Sequence, residues 1–393
     1  MMNIMCNSRP RIVKGKALCD RKVIGKVIKN SKSGKKEECI QVLSHDYLEL
    51  FEEGYIGYIF ENEEINTKIE KYLIQNFIPS ILGVKTGFFL YDDVIELNSR
   101  VDSIALLYKS DCYENTIVVT NQCNSNCIMC PDSIAIRSVR ENVSIKKIKT
   151  LLSLISKDAK FICITGGEPT LLELGLFEIL DECKTSLFNT QFIMLTNGRM
   201  FYYKSYVKEF IKHRPDNMII AIPIHGHVSK LHDSITQSKG SFKQTITGVK
   251  MLHDLGENIE IRVVLSKMNY LYLADIAKLI IDKFPNAFRV NFMAMEMLGN
   301  AVVNESKVWI DLDKLQIEVA KASRLLIENG INTYLYNFPM CYVDERLWSI
   351  TMNSISENKI RYREECKECK VINKCGGFFG STMRFKSLKA KPI

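Results

Sequence analysis

From residue 115 onward the chain repeats one pattern, in which a short apolar run is followed by an amphipathic helical stretch. Six such strand–helix units follow one another before Gly330. Repeated βα units with right-handed crossovers form a parallel sheet, and six units are too few to close an eight-stranded barrel. The sequence therefore predicts an α/β fold whose core, residues 113–333, is a partial (β/α)6 barrel.

The units are placed by hydrophobic periodicity and by residues that begin or end helices. The predicted strands are 116–120, 161–164, 191–195, 218–224, 259–265 and 288–293. The predicted helices run from Ser144, over 174–183 and 203–212, from Ser241, and over 271–283 and 311–328. Ser144 and Ser241 are expected to cap their helices, and Gly256 and Gly330 to end theirs. Active sites in such sheets lie at the carboxyl ends of the strands, so the residues after each strand are the functional candidates.

Residues 1–112 lack this repeat. Alternating apolar runs at 22–28, 93–97 and 103–108 predict strands, and the apolar spacing over 66–77 predicts a helix. We expect a small α+β or β-rich N-terminal domain, which is a candidate for recognising a partner or a peptide.

The charge of the first 112 residues is strongly segregated. Residues 1–36 hold 11 Lys or Arg and one acid, whereas residues 37–112 hold 5 Lys or Arg and 15 acids. Either the two stretches fold together and neutralise each other, or the basic arm meets an acidic partner. The arm has no interleaved aromatic residues, so nucleic acid is not expected as a partner.

The composition is that of an ordinary globular protein, with 46% hydrophobic and 25% charged residues. No apolar run reaches the roughly 18 to 20 residues of a membrane span, and residues 1–10 are polar. We therefore expect a cytoplasmic protein that is not bound to a membrane. Thirteen cysteines are an odd number for a disulfide framework, and in a reducing compartment clustered cysteines are typical of metal ligands.

Three cysteines form the most informative motif. Cys123, Cys127 and Cys130 follow strand 116–120 directly, with the spacing Cys-x3-Cys-x2-Cys. A closed structural site needs four protein ligands, so three thiolates indicate a site with one position open to another ligand. Taken alone, the motif is also compatible with part of a zinc site.

A second motif follows the next predicted strand. Thr165-Gly166-Gly167-Glu168-Pro169 places two glycines, which allow close approach of the backbone to a ligand, beside a carboxylate that can bind an ammonium group. A simple tight turn is the alternative explanation for this motif alone.

Together these motifs resemble the radical S-adenosylmethionine (SAM) superfamily. The resemblance implies that Cys123, Cys127 and Cys130 hold three irons of a [4Fe–4S] cluster and that SAM chelates the fourth iron. It also implies that SAM is cleaved to a 5′-deoxyadenosyl radical, which abstracts hydrogen from the substrate. A low-potential electron donor such as flavodoxin or ferredoxin is then required.

The resemblance also implies several SAM-binding residues. Gly166, Gly167 and Glu168 match the motif that receives the SAM amino group. The remaining matches are Asn197 in Thr196-Asn197-Gly198 for the methionine or ribose, Arg262 for the SAM carboxylate, and Met129, where relatives usually have an aromatic near adenine. Pro223-Ile224-His225-Gly226 stands where many relatives carry a serine or aspartate for the ribose. No side chain stands out as an acid, base or radical carrier, and the histidines at 225, 227 and 232 are expected to be packing residues.

The tail, residues 334–393, holds a second set of cysteines. Cys341, Cys366, Cys369 and Cys375 supply four ligands, which suits a closed site holding either iron–sulfur or zinc. On a radical SAM core this pattern resembles the twitch or SPASM type of auxiliary [4Fe–4S] domain. The last residues, 386–393, are expected to be frayed.

The tail further resembles one maturase family of the His-Xaa-Ser system. The matching segments are 336–341, 347–348, 354–356 and the run from Cys366 to Phe379. This resemblance implies an enzyme that modifies a ribosomally made peptide, at His-Xaa-Ser repeats, by a cross-link or another oxidative change, and that works with a second radical SAM protein as a heterodimer.

Two other functions remain open. The chain is either the enzyme or a non-catalytic, peptide-binding half of a radical SAM pair, and the intact motifs favour the enzyme. The target is alternatively a different protein, such as a sulfatase-like one.

Overall fold

The computed structural model describes residues 12–32, 34–85, 87–132, 143–353 and 359–393. The chain divides into two compact units. The first comprises Met1–Ile117, Val143–Cys163 and Phe177–Gln191, and the second comprises Val118–Asn142, Ile164–Leu176 and Phe192–Ile393. The boundaries expected near residues 112 and 333 stay predictions. The matching segment 354–356 lies outside the described residues, as do residues 1–11.

Eight short strands of the first unit form one sheet. They are β1 (Ile12–Lys14), β2 (Lys16–Ala17), β3 (Lys22–Lys29), β4 (Cys39–Leu43), β5 (Gly57–Phe60), β6 (Ser80–Leu82), β7 (Val94–Asn98) and β8 (Ser103–Tyr108). The strand order is β1-β8-β7-β3-β4-β5-β6-β2, in which the β3 to β6 pairings are parallel and the others antiparallel. Only Gly15 separates β1 from β2, so this stretch joins the two ends of the order. A side chain at Gly15 would lie 2.4 Å from the carbonyl oxygen of Leu82, which explains the glycine.

The alternation of side chains along these strands builds two apolar cores. One face carries Val27, Ile40, Val42, Ile59, Ile95 and Ile104. The other face carries Ile28, Leu43, Tyr58 and Phe60, which pack with Leu73 of helix α1 (Thr67–Gln75). Helix α1 begins after Asn66, whose side chain accepts the backbone N–H of Lys68 at 2.7 Å. The predicted strands and helix of this region are thus present.

Lysines of the basic stretch form ion pairs with the acidic stretch that follows it. The pairs are Lys22–Glu96 at 3.0 Å, Lys26–Asp92 at 3.5 Å, Lys29–Glu61 at 3.9 Å and Lys36–Glu52 at 2.6 Å. These contacts support local neutralisation as the explanation of the charge segregation.

A second sheet runs through the predicted core. Its strands are β9 (Glu114–Thr120), β10 (Phe161–Gly166), β11 (Gln191–Leu195), β12 (Met218–Pro223), β13 (Ile259–Val264), β14 (Arg289–Met293), β15 (Thr333–Tyr336) and β16 (Thr351–Met352). They lie in chain order across the sheet, with β9 and β16 at its edges, and the pairings from β11 to β16 are parallel. The α/β class and the parallel sheet are as predicted, and β15 and β16 extend the sheet beyond the six predicted strands.

Helices connect these strands. They are α2 (Ile145–Leu154), α3 (Leu174–Ser186), α4 (Lys204–His213), α5 (Ser229–Thr236), α6 (Ser241–Asp254), α7 (Leu273–Lys283), α8 (Asn300–Val303), α9 (Glu305–Val308), α10 (Leu312–Glu328) and α11 (Gly380–Phe385). Gly256 and Gly330 follow α6 and α10 with φ of +76° and +77°, the left-handed conformation expected for glycines that end helices.

The predicted serine caps are wrong in detail. Ser144 precedes α2 but makes no side-chain capping bond. Ser241 is the first residue of α6 rather than its cap, and its hydroxyl donates to Asp233 Oδ1 at 2.8 Å. That carboxylate also accepts the backbone N–H groups of Gly240 and Phe242 at 2.7 Å each, and so satisfies the start of α6 in place of the serine.

The two faces of strands β12 to β15 differ in polarity. The face formed by Ile222, Ile261 and Phe292 is fully buried and apolar. Glu260, Arg262, Arg289 and Asn291 lie on the opposite face, because side chains alternate along a strand. Strands β13 and β14 therefore carry a polar face opposite the apolar one, and we call this face the polar inner face. Within the described ranges, no helix combines the length and the apolar character needed to cross a bilayer.

Candidate active site

The three-cysteine loop begins directly after β9. Cys123, Cys127 and Cys130 are each partly exposed. The backbone N–H groups of Asn126 and Ile128 donate to the carbonyl oxygens of Thr236 and Ile235, both at 3.0 Å. The end of α5, a helix that the sequence did not predict, therefore fixes the middle of the loop.

The glycine turn after β10 packs against the start of this loop. Gly167 N–H donates to Thr120 O at 2.8 Å, and Glu168 N–H donates to Gln122 O at 2.7 Å. A Cβ atom on Gly166 would lie 2.3 Å from Thr120 O, and one on Gly167 would lie 2.2 Å from Gln122 O. Both glycines are thus required by the close approach of two backbones next to Cys123.

Glu168 is fully buried and organises the neighbouring turn. Its Oε1 accepts the Thr170 hydroxyl at 2.6 Å, the Thr170 N–H at 3.1 Å and the Thr196 hydroxyl at 2.7 Å. Its Oε2 accepts the Asn197 N–H at 2.6 Å. Burial raises the pKa of this carboxyl, while the four hydrogen bonds act in the opposite direction.

Asn197 and Arg199 connect the same turn to the cysteine loop. Asn197 Nδ2 donates to Asn124 Oδ1 at 2.6 Å. Arg199 Nη1 donates to the carbonyl oxygen of Asn124 and to Ser125 Oγ at 3.1 Å, and its Nε donates to Gln244 at 2.7 Å. Asn197 was a predicted site residue, whereas Arg199 was missed. Its position two residues after Asn197, in the turn that follows β11, was the only signal.

Met129 lies in an apolar cluster on the other side of the loop. It is buried together with Ile128, Ile235, Met297 and Val308. Its predicted place near adenine stays a prediction.

Arg262 belongs to an ion-pair cluster on the polar inner face. Glu260 is fully buried and bonds Arg262 Nε through Oε1, while its Oε2 accepts Arg289 Nε and Nη2 at 2.5 Å each. The next residue across the sheet from Arg262 is Asn291, which is fully buried and has no hydrogen-bond partner among the described residues. Glu260 thus pairs with two cations, one on its own strand and one on the neighbouring strand.

Two of the three histidines after β12, His225 and His232, are buried packing residues, whereas His227 is half-buried against Tyr272. His232 Nδ1 accepts the backbone N–H of His225 at 3.2 Å, and the two rings stack at 5.9 Å. Burial lowers the pKa of His225 to about 3 and that of His232 to about 4. Both imidazoles are therefore neutral at physiological pH.

The four C-terminal cysteines line one pocket. Cys341, Cys366, Cys369 and Cys375 share its wall with Pro339, Phe378 and the segment 390–392. Cys375 Sγ accepts the backbone N–H groups of Met340 at 3.3 Å and Gly377 at 3.4 Å. Burial raises the pKa of the Cys341 and Cys375 thiols.

Residues 386–393 are not frayed, contrary to expectation. Tyr342 Oη donates to Lys389 O at 2.7 Å, Arg363 Nε donates to Leu388 O at 3.0 Å, and Lys370 N–H donates to Ile393 O at 2.9 Å. Polar side-chain and backbone groups around the cysteines therefore hold this segment in place.

The donor sets fit the predicted clusters in their chemistry. Three thiols in one loop and four thiols around one pocket suit iron–sulfur binding, and backbone N–H groups directed at Cys375 suit a thiolate. In the part of the chain that the structure describes, no three His, Cys, Asp or Glu side chains are gathered as a formed metal site. The seven ligand assignments therefore stay predictions.

Residues 117–280 match the family model described as the Radical SAM superfamily. This range includes the cysteine loop, the glycine turn, Asn197 and Arg262. The part of the chain that carries these motifs is therefore similar to that superfamily.

Two relatives come from Bacillus subtilis (strain 168). One is the antilisterial bacteriocin subtilosin biosynthesis protein AlbA, which is 28% identical over 49% of this chain and 42% of its own length. The other is the sporulation killing factor maturation protein SkfB, which is 26% identical over 53% of this chain and 48% of its own length. The chain thus spans about half the length of these relatives. A solved structure, Streptococcus suis SuiB bound to precursor peptide SuiA, has a TM-score of 0.47 and 19% identity, covering 57% of this chain and 48% of that one.

Proposed function

We propose that this chain is a radical SAM enzyme that modifies a ribosomally made peptide, with His-Xaa-Ser repeats as its target. The observation that carries the proposal is the backbone pairing of Gly167 and Glu168 with Thr120 and Gln122 directly before Cys123. It joins the two motifs that the chemistry requires. The names of AlbA and SkfB, which refer to the making of bacteriocin-like factors, support a peptide substrate.

Each motif has a role in this proposal. Cys123, Cys127 and Cys130 hold three irons of a [4Fe–4S] cluster. Gly166, Gly167 and Glu168 receive the amino group of SAM, and Arg262, oriented by Glu260, receives its carboxylate. When bound, the cluster and SAM supply the one-electron chemistry that opens a carbon–hydrogen bond of the substrate.

The pocket of Cys341, Cys366, Cys369 and Cys375 holds an auxiliary [4Fe–4S] cluster in this proposal. Four thiols around one pocket support a closed site. These four cysteines would hold the cluster, which would supply a one-electron acceptor for an oxidative bond formation or would anchor the peptide. A second radical SAM protein and a flavodoxin or ferredoxin complete the system, which we place in the cytoplasm.

Iron analysis of anaerobically reconstituted protein tests the two sites. We expect about eight irons per chain, and about four when Cys123, Cys127 and Cys130 are replaced by Ala. Zinc in place of half the iron would assign the C-terminal site to zinc. A value near zero in the triple variant would count against an independent second cluster.

Two assays test the activity. The reconstituted chain should release 5′-deoxyadenosine from SAM with a strong reductant, and the Cys127→Ala variant should not. If no 5′-deoxyadenosine forms either with or without a partner protein, the chain is a non-catalytic binding subunit. Co-expression with a His-Xaa-Ser repeat peptide, followed by fragment mass spectra, should locate the modification. Spectra identical to those of the unmodified peptide would reject this target.

A further inference from the structure

One short segment contacts both the three-cysteine loop and the tail that carries the other four cysteines. We call residues 296–305 the connector. Asn300 N–H donates to Cys130 O at 2.9 Å, and Asn300 Nδ2 donates to Cys127 O at 3.0 Å and to Asn126 Oδ1 at 3.3 Å. Asn304 Nδ2 donates to Ile128 O at 3.2 Å. The two asparagines thus bond to four residues of the cysteine loop, Asn126, Cys127, Ile128 and Cys130.

The connector approaches the loop so closely at Gly299 that no side chain fits between them. Gly299 has φ +55° and ψ −124°, a conformation that residues with a Cβ rarely adopt. A Cβ atom there would lie 2.2 Å from Pro131 O and 2.8 Å from Cys130 O. The loop and the connector therefore meet backbone to backbone.

The same connector is attached to the cysteine-rich tail. Met297 N–H donates to Thr382 Oγ1 at 3.0 Å, and the Thr382 side chain is buried. Glu296 accepts Ser381 Oγ at 2.9 Å and pairs with Lys359 at 3.0 Å. Lys386 pairs with Glu305. These partners flank Cys366, Cys369 and Cys375 on both sides in the sequence.

We propose that Asn300 and Asn304 are positioning residues that fix the spacing of the three thiols, and that the connector couples the order of this loop to the folding of the tail. Amide donors suit this task because carbonyl oxygens buried without a donor are costly, so the loop is held in one arrangement. The consequence for a cluster rests on the function proposed above, whereas the order of the loop does not.

Hydrogen exchange of the full chain, read by mass spectrometry without added metal, tests the positioning role. Asn300→Ala should raise exchange of residues 126–130 about tenfold, and Asn304→Ala should raise it less, because fewer bonds are lost. Asn329→Ala is the matched control, since Asn329 is exposed and its side chain donates to Leu325 O, at 2.8 Å, within its own helix. Unchanged exchange in Asn300→Ala would overturn the role. If that variant does not fold, Asn300→Asp, which keeps the size and the backbone donor, takes its place.

Thr382→Val tests the coupling. The substitution keeps the shape of the side chain and removes the acceptor of Met297 N–H. Exchange should rise both in 297–304 and in 126–130, whereas Thr185→Val, at an exposed helical position that bonds its own helix, should change neither. A rise confined to 297–304 would refute the coupling. A wild-type chain that binds no iron would reject the proposed function and leave this result unaffected.

Discussion

Glu168 donates its backbone N–H to the carbonyl oxygen of Gln122 across 2.7 Å, one residue before the first cysteine of the loop. This bond sets the distance between the glycine turn and the three thiols. Its length depends on Gly167, because a methyl group there would overlap the same carbonyl oxygen.

Gly167→Ala should therefore separate the two motifs. We expect a loss of about 1–3 kcal/mol in the free energy of unfolding, from overpacking against a backbone atom that cannot rotate away. We also expect the loss of iron from the three-cysteine site. Urea unfolding and iron analysis measure the two effects.

Gly256→Ala is the control for this substitution. Gly256 has φ +76°, but an added Cβ would meet no atom within 4 Å. It should cost about 1 kcal/mol through backbone strain and leave iron content unchanged. Equal iron contents in the two variants would show that the close contact at Gly167 does not position the loop.

The Glu260 carboxylate is expected to be essential to the stability of the polar inner face. Glu260→Gln leaves Arg262 and Arg289 as two neighbouring cations without their buried anion, which should lower the free energy of unfolding by about 3–5 kcal/mol. Urea denaturation measures this loss. Glu209→Gln, which removes an exposed surface pair with Lys212, is the control and should leave the free energy of unfolding nearly unchanged.

A double variant tests whether the destabilisation by Glu260→Gln comes from the positive charge of the two arginines. Adding Arg289→Met to Glu260→Gln removes one of the two cations that face position 260, so part of the lost stability should return. A double variant that is less stable than Glu260→Gln alone would mean that Arg289 acts through other contacts.

The buried histidines predict a pH dependence of stability. The pKa values of His225 and His232 are lowered in the folded chain to about 3 and about 4, while an unfolded histidine titrates near 6.5. Protons therefore bind the unfolded chain first as the pH falls from about 6.5 to about 4. Each histidine should remove up to about 1.4 kcal/mol of stability per pH unit in this window.

His232→Asn isolates this effect, since the Asn oxygen can accept the His225 N–H. Its stability should fall less steeply between pH 6.5 and 4 than that of the wild type, in urea titrations at successive pH values. His45→Asn, at a side chain that is 84% exposed, should leave the slope unchanged. Parallel slopes for His232→Asn and the wild type would contradict the assignment.

The sequence predicted the strands of the core well because each is a compact apolar run. It also predicted that the three-cysteine loop and the glycine turn would meet, because both follow neighbouring strands. Strands β15 and β16 were missed because four and two residues are too short to show periodicity. Arg199, Asn300 and Asn304 were missed for a different reason. Their partners in the cysteine loop lie more than 70 residues away in the chain, and no local spacing records such contacts.

The ion-pair cluster around Glu260 shows the same limit for only one of its two contacts. Glu260 lies two residues earlier on the same strand, so strand periodicity alone puts the two side chains on one face. The second cation, Arg289, joins them only through the pairing of β13 with β14.

The segment 388–393 should protect the C-terminal thiols. The backbone N–H of Lys391 bonds the Cys341 thiol, and Tyr342 holds this segment through Lys389 O at 2.7 Å. Tyr342→Phe removes that bond and keeps the ring against Phe378. Loss of about 1 kcal/mol of local stability should speed alkylation of Cys341 about fivefold in protein without metal.

Mass spectrometry of the alkylated peptides measures the rate, with the fully buried Cys183 as an internal reference. Tyr203→Phe, at a half-exposed ring, is the matched control. Equal Cys341 rates in both variants would show that the segment does not shield the site.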